Sequence, residues 1–233
     1  MSANTTPFQL SDPVFANILS LMTNSEQGMS CDDTLRLINS SNLLLTLLHS
    51  FADKGLPLVQ GAGNLYTGST IKLSYTGTDL VRALGHELGH FCDHQLQSDT
   101  HALDKAKNFA DIIAYEMNES QATAISYIIR KQIMLNGEPD IQISNRIGFF
   151  LADGSVSEDG FNAEIAKLDE RFSDKVTAAM TAEDCWALAC EIAGDVWGKN
   201  FFTKPDGETT RWEAELEEAY GSNIKHSHLP PTR

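Results

Sequence analysis

The segment TDLVRALGHELGHFCDHQLQ, residues 78–97, constrains the fold more than any other part of the chain. Its apolar residues recur every three or four positions, which is the period of an amphipathic helix with one buried face. His86 and His90 stand four apart, so they project from the same side of that helix about one turn from each other. His86 lies roughly 200° around the helix from Leu84 and Leu88, which predicts that the two imidazoles line a cleft.

Two imidazoles on one helical face with a carboxylate between them predict a metal site. Zinc is bound by histidine nitrogens at about 2.0–2.1 Å, and a spacing of four residues lets both rings turn toward one point. Glu87 points about 100° away, so we expect it to act on a water at the site rather than as a ligand. The pattern H-E-x-x-H therefore predicts two ligands and one proton carrier.

Gly85 and Gly89 flank this motif inside the predicted helix. A glycine in a helix interior costs about 1 kcal/mol relative to alanine. Two such residues in one short segment predict that another backbone, or a substrate, passes very close to the helix.

A β-hairpin is predicted directly before the motif helix. Leu65–Thr67 and Thr70–Tyr75 flank Gly68-Ser69, a glycine-first pair suited to a type II′ turn. In the second arm Ile71, Leu73 and Tyr75 alternate with polar residues, which predicts one buried and one solvated face.

The rest of the chain is predicted to be mostly helical. Expected helices lie at 12–24, 32–53, 104–135, 161–180, 183–197 and 211–220, with a short strand in PDIQIS (139–144), a loop at 199–210 and a polar tail. These elements predict a mostly helical α+β protein.

Composition and charge exclude several classes of function. Lys and Arg total 17 against 32 Asp and Glu, a formal net charge of -15, which repels nucleic acid and anionic membranes. The excess acid predicts a solvated surface, and attraction of a basic substrate is the alternative. Cys31, Cys92, Cys185 and Cys190 form no C-x-x-C pair, so we expect free thiols.

The sequence favours a protein made in the cytoplasm that does not span a membrane. The N-terminal stretch MSANTTPFQLSDPVF has neither a basic region nor a continuous apolar run. No apolar stretch approaches the roughly 20 residues that cross a bilayer. Secretion by a route without a cleaved signal stays open.

The HELGH pattern resembles the signature of the zincin metallopeptidases, and the resemblance covers about residues 60–130. In that superfamily the motif helix follows a small sheet, and a third metal ligand comes from further along the chain. The resemblance implies one zincin-like domain over 1–233, with a catalytic core at about 60–135 and helices at 1–55 and 161–220 packed on it. It also implies that substrate adds as a strand near Thr70–Tyr75.

The position of the third ligand separates the zincin subgroups. The metzincin pattern H-E-x-x-H-x-x-G-x-x-H requires glycine and histidine where this chain has Asp93 and Leu96. The gluzincin context N-E-x-x-A is similar to Asn118-Glu119 followed by Ala122, in which the small residue lets two helices approach. The resemblance thus implies Glu119 as the third ligand. Glu116, one turn earlier, is the rival.

Residues around the proposed metal are expected to play supporting roles. His94 is too far around the helix to join His86 and His90, so we expect it, like Asp93, to support a metal ligand or to lie at the rim of the site. An oxyanion in the transition state needs a stabilising donor. The four candidate tyrosines are Tyr66, Tyr75, Tyr115 and Tyr127.

The resemblance implies a zinc metallopeptidase of the gluzincin type. His86, His90 and Glu119 would bind Zn²⁺, and Glu87 would activate a zinc-bound water for attack on a peptide bond. A protein or peptide would be the substrate, and a secreted effector or toxin with an inhibitory or immunity partner is one implied setting. Two alternatives stay open: a zinc amidase acting on cell-wall peptide, and a catalytically silent zincin-fold binding module.

Overall fold

A computed structural model describes the backbone of residues 5–9, 11–13, 30–74, 78–96, 109–143 and 158–202. Within the helices, the side chains at 78–79, 93–96, 109–116 and 197–202 lie outside this description. The described part is mostly helical and contains one small three-stranded sheet, which confirms the predicted α+β class.

Six α-helices and three strands make up the described fold. The helices are α1 (Cys31–Asn39), α2 (Asn42–Asp53), α3 (Thr78–Leu96), α4 (Phe109–Leu135), α5 (Glu158–Phe172) and α6 (Ala182–Phe202), with a 3₁₀ turn at Ser173–Lys175. The strands are β1 (Leu58–Gln60), β2 (Leu65–Tyr66) and β3 (Ile71–Leu73).

The predicted single helix at 32–53 is two helices, because a pair of serines interrupts it. Ser40 Oγ donates to the Leu37 carbonyl at 2.7 Å and closes α1. Ser41 is extended, and its Oγ accepts from the Leu44 N–H at 3.1 Å, which caps α2. Serine competes for backbone hydrogen bonds inside a helix and is favoured at caps, so this pair separates the two helices.

The predicted strand in PDIQIS is wrong over 139–143, where the described backbone is irregular. Asp140 Oδ1 accepts from the Gln142 N–H at 2.7 Å, and Gln142 has a φ of 59°. This local turn bends the chain away from an extended path. Ile141 and Ile143 are nevertheless both buried, on either side of the exposed Gln142. This alternation of apolar and polar residues is the pattern that predicted a strand.

The C-terminal helices also differ from the prediction at their ends. The helix expected over 161–180 ends at Phe172, and Thr181 caps the next one by accepting from the Asp184 N–H at 3.1 Å. That next helix, α6, continues to Phe202, into the region predicted as a loop. The helices predicted at 12–24 and 211–220 and the polar tail lie outside the described residues, except for the first two positions of 12–24.

The sheet has the order β1-β3-β2, so β3 is its central strand. β2 and β3 form the predicted antiparallel hairpin, with Leu65 opposite Lys72. Gly68 has a φ of 85° and Ser69 does not have a positive φ, as a type II′ turn requires. β1, which the sequence did not predict, pairs with β3 in parallel.

The helix α3 lies at the centre of the described fold, where β2, β3, α2 and α4 pack on it. Its predicted apolar stripe is confirmed, since Leu80, Leu84, Leu88 and Phe91 are fully buried. The Phe91 ring meets the Phe51 and Tyr66 rings edge to face, at centroid distances of 5.3 and 6.0 Å. One face of α3 is thus fixed against the core, and another faces α4.

Two further predictions can be compared with the fold. All four cysteines are free thiols, as predicted. Among the described residues, no helix combines the length and the apolar character needed to cross a bilayer.

Candidate metal centre

The site forms where α3 and α4 cross in opposite directions, with Gly85 beside Ile129 and Gly89 beside Ala122. A Cβ placed on Gly89 would lie 2.6 Å from the Cα of Ala122, so the two backbones almost touch. Of the two possibilities predicted for the glycines, another backbone or a substrate, the structure shows another backbone at Gly89. This contact also brings the 118–122 stretch of α4 against the histidine face of α3.

Three side chains from these helices converge. His86 Nε2 lies 3.2 Å from His90 Nε2 and 3.4 Å from Glu119 Oε2. His90 Nε2 lies 3.7 Å from Glu119 Oε1. One ligand atom from each residue falls within 4.8 Å of the others, and these three residues could hold a metal ion.

The spacing of these atoms fits the geometry of a small metal ion. Ligands about 2.0–2.1 Å from a tetrahedral zinc ion lie roughly 3.3 to 3.4 Å from one another. The 3.2 Å between the two nitrogens and the 3.4 Å from His86 Nε2 to Glu119 Oε2 are close to that edge, and the 3.7 Å from His90 Nε2 is to the other carboxylate oxygen, Oε1. Two nitrogens and one carboxylate are also a donor set that zinc accepts. The residues present therefore fit such an ion.

Asn118 orients His90. The His90 Nδ1 lies 2.5 Å from Asn118 Oδ1, so the ring carries its proton on Nδ1 and donates it to the amide oxygen. The Nε2 lone pair of His90 then points toward His86 and Glu119. Metal-binding histidines commonly donate their second ring nitrogen to a neighbouring oxygen in this way.

The surroundings favour a neutral His90. Desolvation by burial lowers the pKa of His90, and the charge of His86 adds to this. The carboxylates of Glu119 and Glu87 and the hydrogen bond to Asn118 act in the opposite direction but do not restore the pKa to its ordinary value. A neutral imidazole is the form that binds metals.

His86 is held differently from His90. Its side chain is buried, and its Nδ1 has no hydrogen-bond partner within the described part of the chain. The two histidines therefore differ in their support, since only His90 has an orienting amide among the described contacts.

Glu87 lies on the same helix as the two histidines, directly after His86 in the sequence. It is buried, and its charge acts to raise the pKa of His90. The rival ligand Glu116 belongs to α4, but its side chain lies outside the described residues, as do those of Asp93 and His94. The described geometry thus brings together His86, His90 and Glu119, while Glu87 is buried on the helix of the two histidines.

The two described tyrosines among the oxyanion candidates donate their hydroxyls elsewhere. Tyr127 donates to Asp169 Oδ1 at 2.9 Å and to the Leu168 carbonyl at 3.2 Å, on α5. Tyr66 donates to the Gly68 carbonyl at 2.8 Å, and burial raises its pKa to about 12. Tyr75 and Tyr115 have side chains outside the described residues.

Asn118 is the site residue whose role the sequence did not predict. It stands directly before Glu119 in the N-E-x-x-A context, so its position was visible, but not its hydrogen bond.

Comparison of the chain with models of protein families, with curated proteins and with solved structures finds no match. Function must therefore be inferred from the chemistry of this site.

Proposed function

We propose that the protein is a zinc metallopeptidase with a zincin-like catalytic core of the gluzincin type. The observation that carries the proposal is the convergence of His86, His90 and Glu119 from two crossing helices, with Glu87 buried on the helix of the two histidines. This is the arrangement expected for two histidine ligands, a carboxylate ligand and a separate proton carrier. His86, His90 and Glu119 would hold the zinc ion, which would supply polarisation of a substrate carbonyl and a lowered pKa of a bound water.

The remaining steps of the proposed reaction are assigned to two residues of the chain, Glu87 and Asn118. Glu87 accepts a proton from the attacking water as the new carbon–oxygen bond forms. It then delivers this proton to the leaving amine as the carbon–nitrogen bond breaks. Asn118 keeps the Nε2 of His90 directed into the site throughout, because its oxygen holds the proton of Nδ1. The burial of Glu87 on the helix that carries both histidines supports this role, since the side chain is shielded from bulk solvent.

The sheet restricts how a peptide substrate can dock. The strand predicted to receive it, β3, has β1 on one side and β2 on the other, so neither edge of β3 can accept an added strand. Of the two outer strands, β2 packs with β3 on the motif helix α3. We therefore assign peptide docking to the edge of the sheet formed by β2, in place of β3.

The direct test compares the wild-type protein with Glu87→Gln. Zinc content and hydrolysis of an unstructured protein such as casein are measured for both. Because Glu87 carries protons and does not bind the ion in this proposal, the variant should keep its zinc and lose at least a hundredfold in turnover. A variant that keeps both zinc and turnover would contradict the assigned role.

The same comparison with cell-wall peptide fragments as a second substrate separates the alternatives. A zinc amidase would cleave these fragments and leave casein intact. A catalytically silent binding module would bind zinc and cleave neither, with wild type and Glu87→Gln behaving alike. The presence of a carboxylate at position 87 favours an active enzyme, because a silent module has no use for a proton carrier.

A further inference from the structure

We infer that Gly89 is a positioning residue for the metal centre, because its contact with Ala122 sets the distance at which α3 and α4 share their ligands. This inference rests on the proposed metal site. It goes beyond that proposal by identifying what fixes the site's geometry, a residue that neither binds the ion nor touches substrate.

The contact is backbone against backbone. A Cβ on Gly89 would lie 2.6 Å from the Cα, 3.1 Å from the Cβ and 3.1 Å from the carbonyl oxygen of Ala122. Two carbon atoms rest against each other at about 3.5–4.0 Å. Any side chain at position 89 would therefore force the helices apart by roughly 1 Å.

The point of closest approach is next to the ligands on both helices. Gly89 immediately precedes His90, and Ala122 lies one turn after Glu119. The histidines move with α3, while Glu119 and Asn118 move with α4. Metal–ligand distances tolerate changes of only about 0.2 Å, so a displacement of about 1 Å exceeds that tolerance several times over.

Gly85 provides an internal comparison one turn earlier. A Cβ there would meet Ile129 Cδ1 at 3.2 Å and Ser126 Oγ at 3.9 Å. Cδ1 is the end of a side chain that can rotate, so the helices need not separate. The two glycines of the motif thus differ, and only Gly89 holds the backbones together.

The test measures the zinc affinity of folded protein by competition with a chromophoric chelator, for wild type, Gly89→Ala and Gly85→Ala. Thermal unfolding of the metal-free proteins is recorded in parallel, and affinity is measured well below the transition. We expect Gly89→Ala to bind zinc at least tenfold more weakly, in the range seen when groups that support metal ligands are altered. Gly85→Ala should stay within about threefold of wild type.

The outcomes separate the possible failures. If wild type binds zinc and folded Gly89→Ala binds it equally well, this inference is overturned while the proposed metal site stands. If wild type takes up no zinc, both fall. Should Gly89→Ala fail to fold, Ala122→Val fills two of the three positions around the Cβ at the same contact, and a folded Ala122→Val with unchanged affinity would overturn the inference as well.

A second variant distinguishes backbone contact from side-chain crowding. Ala122→Gly removes the methyl group at 3.1 Å but leaves the Cα at 2.6 Å. The double variant Gly89→Ala with Ala122→Gly should therefore remain weak in zinc binding. Recovery of wild-type affinity would contradict the claim that the backbones themselves set the distance.

Discussion

The His90 imidazole donates its Nδ1 proton to the Oδ1 of Asn118, on the helix that also carries Glu119. One short hydrogen bond therefore links a histidine of α3 to the residue next to the carboxylate of α4. It fixes which nitrogen of His90 is available to an ion, and it does so from the same helix that carries Glu119, the proposed third ligand. Asn118 thus links the two helices of the candidate site without being one of the proposed ligands.

Replacing Asn118 should weaken zinc binding without abolishing it. In Asn118→Ala the His90 ring loses its acceptor, and the tautomer with Nε2 available is no longer favoured. Loss of such a supporting group typically costs 10–100-fold in metal affinity, and we expect a decrease of about that size. Chelator competition measures it, and Ser120→Ala, a buried hydroxyl two residues along α4, is the control. If Asn118→Ala and Ser120→Ala bind zinc equally well, Asn118 does not support the metal site.

Zinc should stabilise the fold through Glu119 rather than Glu116. A ligand that binds only the native state at about 100 times its Kd adds roughly 2.7 kcal/mol to the free energy of unfolding. Thermal unfolding with and without zinc should therefore shift for wild type and for Glu116→Gln, but only slightly for Glu119→Gln. The opposite pattern, with the shift lost in Glu116→Gln, would make Glu116 the third ligand.

Asp140 should contribute stability that is lost in acid. Desolvation tends to raise the pKa of Asp140, but hydrogen bonds from Arg130 and the Gln142 N–H, with the charges of Arg130 and Lys131, outweigh it and lower the pKa. A group whose pKa is lower in the folded state stabilises the protein above its unfolded pKa, and this stability disappears as pH falls through the folded pKa. The loss should thus begin near pH 4 and continue below it.

The variant Asp140→Asn isolates this contribution. It removes the carboxylate that the buried Arg130 contacts at 2.7 and 2.6 Å. We expect a decrease of about 1–3 kcal/mol in the free energy of unfolding at pH 7, measured in urea, that shrinks as pH falls below about 4. Asp174→Asn, at an exposed position, is the control. A deficit that does not change with pH would contradict the assignment.

Gln132 should be important for stability because it joins three parts of the fold. Its Oε1 accepts from Ser41 Oγ at 2.8 Å and from the Leu43 N–H at 3.0 Å, and its Nε2 donates to the Thr177 carbonyl at 3.3 Å. Gln132→Met leaves buried donors without an acceptor, at a cost of about 2–4 kcal/mol. Urea unfolding measures this, with the exposed Gln9→Met expected within about 0.5 kcal/mol of wild type.

The sequence predicted those elements of the fold that depend only on residues close together in the chain. The apolar stripe of α3 and the Gly68 turn follow from residue spacing and from backbone freedom, so both were predictable. The parallel strand β1 could not be predicted in this way. Its residue Leu58 pairs with Ile71, which lies 13 residues further along the chain, and such a pairing leaves no local pattern. The break at Ser40-Ser41 had a signal, since serines favour caps, but the apolar periodicity on either side masked it.

The candidate site likewise contains contacts within one helix, which the sequence predicted, and contacts between helices, which it predicted only in part. His86 and His90 share a helix, so their juxtaposition follows from the spacing of four residues alone. The approach of Glu119 depends on the crossing of α3 and α4, which the sequence indicated only through Gly89 and the resemblance in the N-E-x-x-A context. The hydrogen bond from His90 to Asn118 could not be predicted from the sequence, because residue spacing does not indicate which polar side chain of another helix faces a given ring nitrogen.

The most direct test of the metal centre is the stoichiometry of zinc in the purified wild-type protein after equilibrium dialysis at neutral pH. We predict about one zinc per chain, as three protein ligands around a single open site require. The double variant His86→Ala with His90→Ala should retain none above background. A wild-type protein that binds no zinc, or one that binds it equally well without both histidines, would contradict the proposed metal centre.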